Sequence, residues 1–67
     1  MGELIAQLKA IRTAAGLTQQ ELACRVGVSR KTINTVENGI FVPSTVLALK
    51  IARSLDTTVD SIFQLAE

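Results

Sequence analysis

The segment from Thr18 to Gly39 constrains the fold most strongly, because it holds two short amphipathic patterns separated by a glycine. Thr18 and Glu21 have the spacing of a capping box, which predicts that a helix begins here. Gly27 stands where that helix should end, at a position suited to positive φ. Ser29 is a good N-cap for a second helix, because its hydroxyl can accept a backbone N–H. The segment therefore predicts two helices joined by a tight turn.

Each of the two predicted helices has an apolar side, and the second also has a polar side that carries cations. Leu22, Ala23 and Val26 form one apolar side of the first helix, and Ile33 and Val36 form that of the second. Ala23 is small where the two helices should approach each other closely. The polar side of the second helix carries Arg30, Lys31, Asn34 and Thr35. This layout suits a helix that is supported from behind while its front enters a DNA groove.

Apolar spacing elsewhere predicts three more helices, and no segment shows a convincing strand pattern. A stripe at i, i+3, i+4 and i+7 predicts a first helix from Leu4 to Ala15. Ser44 or Thr45 should cap a fourth helix, and Thr58 a short fifth one. The apolar side of the fifth helix is expected to consist of Ile62, Phe63 and Leu65.

These motifs resemble the helix-turn-helix of the Cro and repressor proteins, also called the XRE family. The matching stretches are TQQELA, VGVS and ENG, followed by PS, ALKIA and VDSIF, and they extend from Ile5 to about Phe63. The resemblance implies an all-α, compact five-helix lambda-repressor-like DNA-binding domain with its helix-turn-helix at helices 2 and 3. We expect residues 1–67 to form this single domain, with the motif at 18–38. Two departures are Asp56, where relatives usually have Gly, and an apolar loop at Ile40–Val42, where basic or polar residues are common.

The resemblance also implies how the chain would bind double-stranded DNA. In this family the second helix of the motif lies in the major groove. The positions that match base-reading residues are Arg30, Lys31, Asn34 and Thr35. Arg30 is the best candidate for sequence specificity, because its planar guanidinium can donate two hydrogen bonds to guanine O6 and N7. Phosphate contacts are expected from Thr18, Gln19, Ser29, Thr32 and Asn38.

Two further expectations concern structure and assembly. Relatives hold the residues equivalent to Arg12 and Glu37 in a partly buried salt bridge, and we expect the same here. Family members usually form dimers that place two recognition helices in successive major grooves. The expected homodimer is built around the loop and the C-terminal helix, although Phe41 and Phe63 are each expected to serve the core first. Its interface is assigned to Phe41, Val42, Ile62 and Leu65.

Composition narrows the possible functions. The net charge is only +1, yet five cations and one anion lie between Lys9 and Lys31, the part of the chain that holds the predicted DNA-binding helices, although Lys9 itself is equally explained as an ordinary surface charge. The single cysteine, Cys24, excludes an intramolecular disulfide, and the lack of histidine excludes a Cys/His metal cluster. The sequence also has no tyrosine, no phosphate-cradling glycine loop and no carboxylate pair placed for acid–base chemistry, so we expect no metal, no cofactor and no catalytic site. The polar start of the chain argues against a signal peptide, and no apolar run approaches a membrane span, so the protein is expected in the cytoplasm.

Three functions remain open at this level. The leading hypothesis is a sequence-specific transcriptional regulator, most simply a repressor that overlaps the polymerase site. The alternative is an antitoxin-like protein that binds DNA with the same fold and also binds a toxin. A protein-interaction module that has lost DNA binding is the third, and Arg30, Lys31 and Gln19 argue against it. The sequence identifies no particular protein partner.

Overall fold

The computed structural model describes residues 4–66, which form five helices and one small pair of strands. In chain order the elements are β1 (Leu4–Ala6), α1 (Leu8–Ala14), α2 (Gln19–Val26), α3 (Arg30–Glu37), α4 (Thr45–Ser54), α5 (Val59–Ile62) and β2 (Phe63–Leu65). The predicted five-helix architecture is confirmed, with the helix-turn-helix at α2 and α3. The strand pair is an addition that the sequence pattern did not predict.

Side-chain hydroxyls begin four of the described helices. The N-caps are Thr18, Ser29, Ser44 and Thr58, and each accepts the backbone N–H of the residue three positions later. The capping box of α2 is complete, because the Thr18 N–H also donates to Glu21 Oε1 over 2.8 Å. Hydrogen bonds from the backbone and side chain of Thr18 favour the charged carboxylate and lower the pKa of Glu21.

Left-handed residues end α2 and the α4 segment as predicted. Gly27 has φ 78°, and its N–H and that of Val28 both donate to the Ala23 carbonyl. This geometry closes α2 and sets the angle at which α3 departs. Asp56 has φ 54° just after α4, a conformation that Asp tolerates better than most non-glycine residues.

The two ends of the described chain pair as strands, which corrects the helices predicted there. β1 and β2 are antiparallel, with Leu4 opposite Leu65 and Ala6 opposite Phe63. The Gln7 N–H extends this pairing by donating to the Ile62 carbonyl over 2.7 Å. The first helix consequently begins at Leu8 rather than Leu4. The backbone groups of both ends are satisfied across the strand pair instead of within longer helices.

The core lies where α2 packs against both α3 and α4. Its largest fully buried side chains are Leu8, Leu22, Ile33, Val36, Ile51 and Ile62. Ala23 is also fully buried, which is consistent with the close helix approach expected there. Phe63 is buried as predicted. Phe41 is 47% exposed, so its expected place in the core was wrong, because the loop holds it beside α3 instead.

Candidate nucleic-acid interface

Helix α3 has one buried side and one exposed side. Ile33 and Val36 are 0% and 1% exposed and anchor the helix against the core. The exposed side carries Arg30, Lys31 and Asn34, while Thr35 is half-buried. The four residues that the sequence assigned to base reading thus lie on one helix, and three of them are exposed.

The N-termini of α2 and α3 hold several of the residues assigned to phosphate contacts. Ser29 Oγ accepts the Thr32 N–H over 3.2 Å, and the two hydroxyls lie 3.0 Å apart. Thr18 caps α2 in the same way and, like Ser29, is exposed. Each hydroxyl therefore has a structural role in the first turn of a helix whose positive dipole end faces outward.

Arg12 and Glu37 form an ion pair whose side chains are 8% and 2% exposed. Arg12 Nε donates to Glu37 Oε2 over 2.5 Å, and Nη2 donates to Oε1 over 3.3 Å. The remaining nitrogen, Nη1, donates to the Leu17 carbonyl over 2.7 Å. The pair ties α1 and the following loop to the last residue of α3.

Gln19 extends this ion pair to the exposed surface. Its Nε2 donates to Glu37 Oε1 over 2.9 Å, and its Oε1 accepts Arg30 Nη1 over 3.1 Å. An ionised carboxylate only accepts hydrogen bonds, so Glu37 fixes which end of the amide faces Arg30. Both ends of the Gln19 amide are occupied in this way, which sequence reasoning missed when it assigned Gln19 to phosphate alone. The bond also holds Arg30 at the junction of α2 and α3.

The loop after α3 folds back along that helix. Gly39 has φ 72°, and the N–H groups of Ile40 and Phe41 both donate to the Thr35 carbonyl, over 3.0 and 3.2 Å. A shallow depression results on the exposed side of α3. It is lined by Ser29, Lys31, Thr32, Thr35, Ile40 and Phe41.

Comparison with known proteins decides the family. A helix-turn-helix family model matches residues 8–62. The chain belongs to the Cro/C1-type helix-turn-helix family of DNA-binding transcriptional regulators. It is 38% identical over 61 residues to the uncharacterized HTH-type regulator YgzD of Bacillus subtilis, covering 91% of this chain and 92% of that protein. An HTH-type regulator of Methanothermobacter thermautotrophicus is 51% identical over 57 residues, with 84% and 83% covered.

The solved structure of a controller protein is similar to this chain in fold and in sequence. The restriction-modification controller protein C.AhdI of Aeromonas hydrophila superimposes with a TM-score of 0.74 at 40% identity. The match covers 78% of this chain and 79% of that one. The arrangement of helices in this helix-turn-helix regulator is therefore shared with a family member of similar size.

The structure separates the residues that the sequence assigned to a dimer interface of this regulator. Ile62 is fully buried in the core and presents no surface to a second copy, which corrects its assignment. Val42 and Leu65 are 67% and 71% exposed. Val46 and Leu49 on α4 are also exposed, because the opposite side of that helix packs inward. Sequence reasoning did not single these two out, since α4 is apolar on both sides.

Residues 4–66 contain no group of His, Cys, Asp and Glu side chains placed to hold a metal ion. Within the same part of the chain, no helix has the length and apolar character needed to cross a membrane. Between α2 and α3, the side chains of Gln19, Arg30 and Glu37 form one hydrogen-bonded group.

Proposed function

We propose that this regulator is a sequence-specific repressor that reads the major groove of double-stranded DNA with α3. The observation that carries the proposal is the exposed guanidinium of Arg30, held by Gln19 at the start of a helix anchored from behind. A guanidinium has five N–H donors, so the bond to Gln19 leaves enough of them for O6 and N7 of a guanine. Lys31 is placed to bind a second guanine or a phosphate.

Asn34 supplies a second type of base contact. Its side-chain amide can pair with N6 and N7 of adenine. In this structure Asn34 Oδ1 accepts the Asn38 side-chain N–H over 3.1 Å. Binding adenine would exchange that bond for one from N6 and would leave Asn38 to donate to a phosphate. Thr35 contributes its methyl group rather than its hydroxyl, which donates to the Thr32 carbonyl.

Phosphates would be bound at the N-termini of α2 and α3. Backbone N–H groups and the helix dipole attract an anion to such ends. Thr18 and the backbone N–H of Gln19 mark the first site, because both ends of the Gln19 side-chain amide are already bonded. Ser29 and Thr32 mark the second site. These contacts position the protein on the duplex without reading its sequence.

Repression follows most simply from a symmetric homodimer that occupies a polymerase site. Val46 and Leu49 line a depression together with Lys50, Arg53, Asp56 and Asp60, and the exposed Val42 and Leu65 extend the apolar surface. Because this surface carries both charge signs, a two-fold axis can place the cations of one copy against the carboxylates of the other. Such a dimer would bind two half-sites about 34 Å apart on the duplex. We place this activity in the cytoplasm.

The test is fluorescence anisotropy of the protein on labelled DNA from its own upstream region and on a shuffled duplex, at about 150 mM salt. We expect tight binding to the first duplex and roughly 5- to 150-fold weaker binding after Arg30→Ala. Lys9→Ala is the matched control, because it removes one exposed cation on α1 and should change affinity little. Equal weak binding of both duplexes, or equal losses for both variants, would contradict the proposal.

The antitoxin alternative uses the same DNA surface and differs in what covers the exposed side of α4, which carries Val46 and Leu49. A toxin-binding protein would keep that side for a different protein. The pure chain would then sediment as a monomer and bind DNA tightly only with its partner. A dimer that binds DNA alone supports the repressor.

A further inference from the structure

Two large apolar side chains stand exposed directly beside the proposed base-reading surface. Ile40 is 76% exposed and Phe41 is 47% exposed. They line the same depression as Lys31 and Thr35, which belong to the polar side of α3. Neither side chain contributes to the core, and exposing large apolar groups to water is unfavourable. Their position beside α3 indicates that they contact the molecule that α3 binds.

The backbone fixes these two residues against the helix. Both of their N–H groups donate to the Thr35 carbonyl, so the loop follows the last turn of α3. The Thr35 hydroxyl donates its one O–H to the Thr32 carbonyl over 2.9 Å, so its methyl group is available to contact a base without breaking that bond. The depression is lined both by polar side chains, those of Ser29, Lys31 and Thr32, and by the apolar side chains of Ile40 and Phe41 next to Thr35.

We propose that Ile40 and Phe41 recognise the 5-methyl groups of thymine at the edge of the groove that α3 enters. The thymine methyl is the apolar group that base edges present in the major groove. The loop from Ile40 to Val42 has no cation and no hydrogen-bonding side chain with which to bind phosphate. A second copy of the chain seated in this depression would cover Lys31 and block the DNA surface. The inference rests on the proposed function, because α3 must lie in the groove for the loop to reach a base.

The test uses a duplex selected from a random pool, in which each thymine is replaced in turn by uracil. Uracil keeps the base pair and removes only the methyl group. When the thymine beside α3 is replaced by uracil, we expect the wild-type protein to bind about fourfold more weakly. This factor corresponds to about 0.8 kcal/mol for one buried methyl group. Phe41→Ala or Ile40→Ala should weaken binding to the thymine duplex by a similar factor. On the uracil duplex, the same variants should bind almost as tightly as the wild-type protein.

Matched variants keep the result interpretable. Ile5→Ala removes an exposed apolar side chain on β1 and should retain full sensitivity to the methyl group. Phe41→Leu keeps an apolar surface on a loop of the same backbone, so it should retain most of that sensitivity. Loss of methyl sensitivity in Ile5→Ala as well would mean that the effect is not local to the loop and would overturn the inference.

Three other results would overturn it. The first is a wild-type protein that discriminates against uracil nowhere in the site. The second is an equal loss of affinity by the alanine variants on both duplexes. The third is a selected site that lacks a fixed thymine. Failure of the inference is distinct from failure of the proposed function. If Arg30→Ala still weakens binding while uracil has no effect, only the loop assignment fails. If Arg30→Ala has no effect either, both fail.

Discussion

At the scale of single residues, the Arg12–Glu37 pair joins segments 25 positions apart in the chain. Glu37 receives hydrogen bonds from Arg12 and from Gln19, so one carboxylate organises both α1 and the start of α2. Its side chain is only 2% exposed. An unpaired charge left in that position would be poorly solvated.

Removing Glu37 should therefore be costly. Glu37→Ala leaves the Arg12 guanidinium buried without its counter-ion, and we expect the free energy of unfolding to fall by about 3–5 kcal/mol. Urea denaturation measures the change. The double variant Arg12→Met, Glu37→Leu removes both charges and should be much less destabilised. A Glu37→Ala protein as stable as the wild type would show that the pair is energetically neutral.

Gln19 gives a second test at this scale, because its amide connects Arg30 to the ion pair. If Gln19 acts by positioning Arg30, Gln19→Ala should weaken DNA binding strongly in the wild type and weakly in an Arg30→Ala background. We expect a coupling of about 1 kcal/mol in this double-mutant cycle, measured by anisotropy. Additive losses would instead indicate an independent contact, such as one to phosphate.

At the scale of elements, α2 and α3 could be predicted from sequence because their boundaries are chemically marked. Thr18, Glu21, Gly27 and Ser29 each perform the local role that their identity indicates. The strands at Leu4–Ala6 and Phe63–Leu65 could not, since three residues are too few to show an alternating pattern. Their pairing depends on the two chain ends meeting, which only the folded core brings about.

Asp56 offers a test of a single turn. A glycine there should relieve the left-handed strain at φ 54° but gain entropy in the unfolded chain. We expect Asp56→Gly to stabilise by a net of about 0.5 kcal/mol and to raise Tm by roughly 2–4 °C. Calorimetry measures this. Asp60→Gly, in the first turn of α5, is the control and should lower Tm. A lower Tm for Asp56→Gly would mean that the aspartate makes a compensating interaction.

At the scale of the whole molecule, the helical architecture and the exposed side of α3 could be anticipated, but the exposed surfaces of α4 and of the loop after α3 could not. The exposure of Arg30, Lys31 and Asn34 was predictable, because α3 is amphipathic and Ile33 and Val36 mark its buried side. Helix α4 has apolar residues on both sides, so its sequence does not indicate which side is exposed. The position of Phe41 depends on the reversal at Gly39 and on hydrogen bonds to Thr35, which are tertiary features.

The exposed side of α4 gives the prediction for assembly. We expect the protein to sediment as a dimer at tens of micromolar. Leu49→Glu should weaken the dimer by roughly tenfold or more, because a two-fold interface buries the added charge twice. Ile5→Glu adds the same charge on β1 and should leave the dimer intact. A monomeric wild-type protein, or equal effects of the two variants, would contradict this interface.

The central claim, that Arg30 reads guanine in the major groove, is tested most directly with 7-deazaguanine. This base keeps its Watson–Crick pairing and lacks the N7 acceptor of the major groove. We measure the Kd of wild-type and Arg30→Ala proteins on the selected duplex with each guanine replaced in turn. The account predicts about fivefold weaker wild-type binding at one guanine per half-site, and no such discrimination by Arg30→Ala. Equal wild-type binding at every substituted guanine would contradict it.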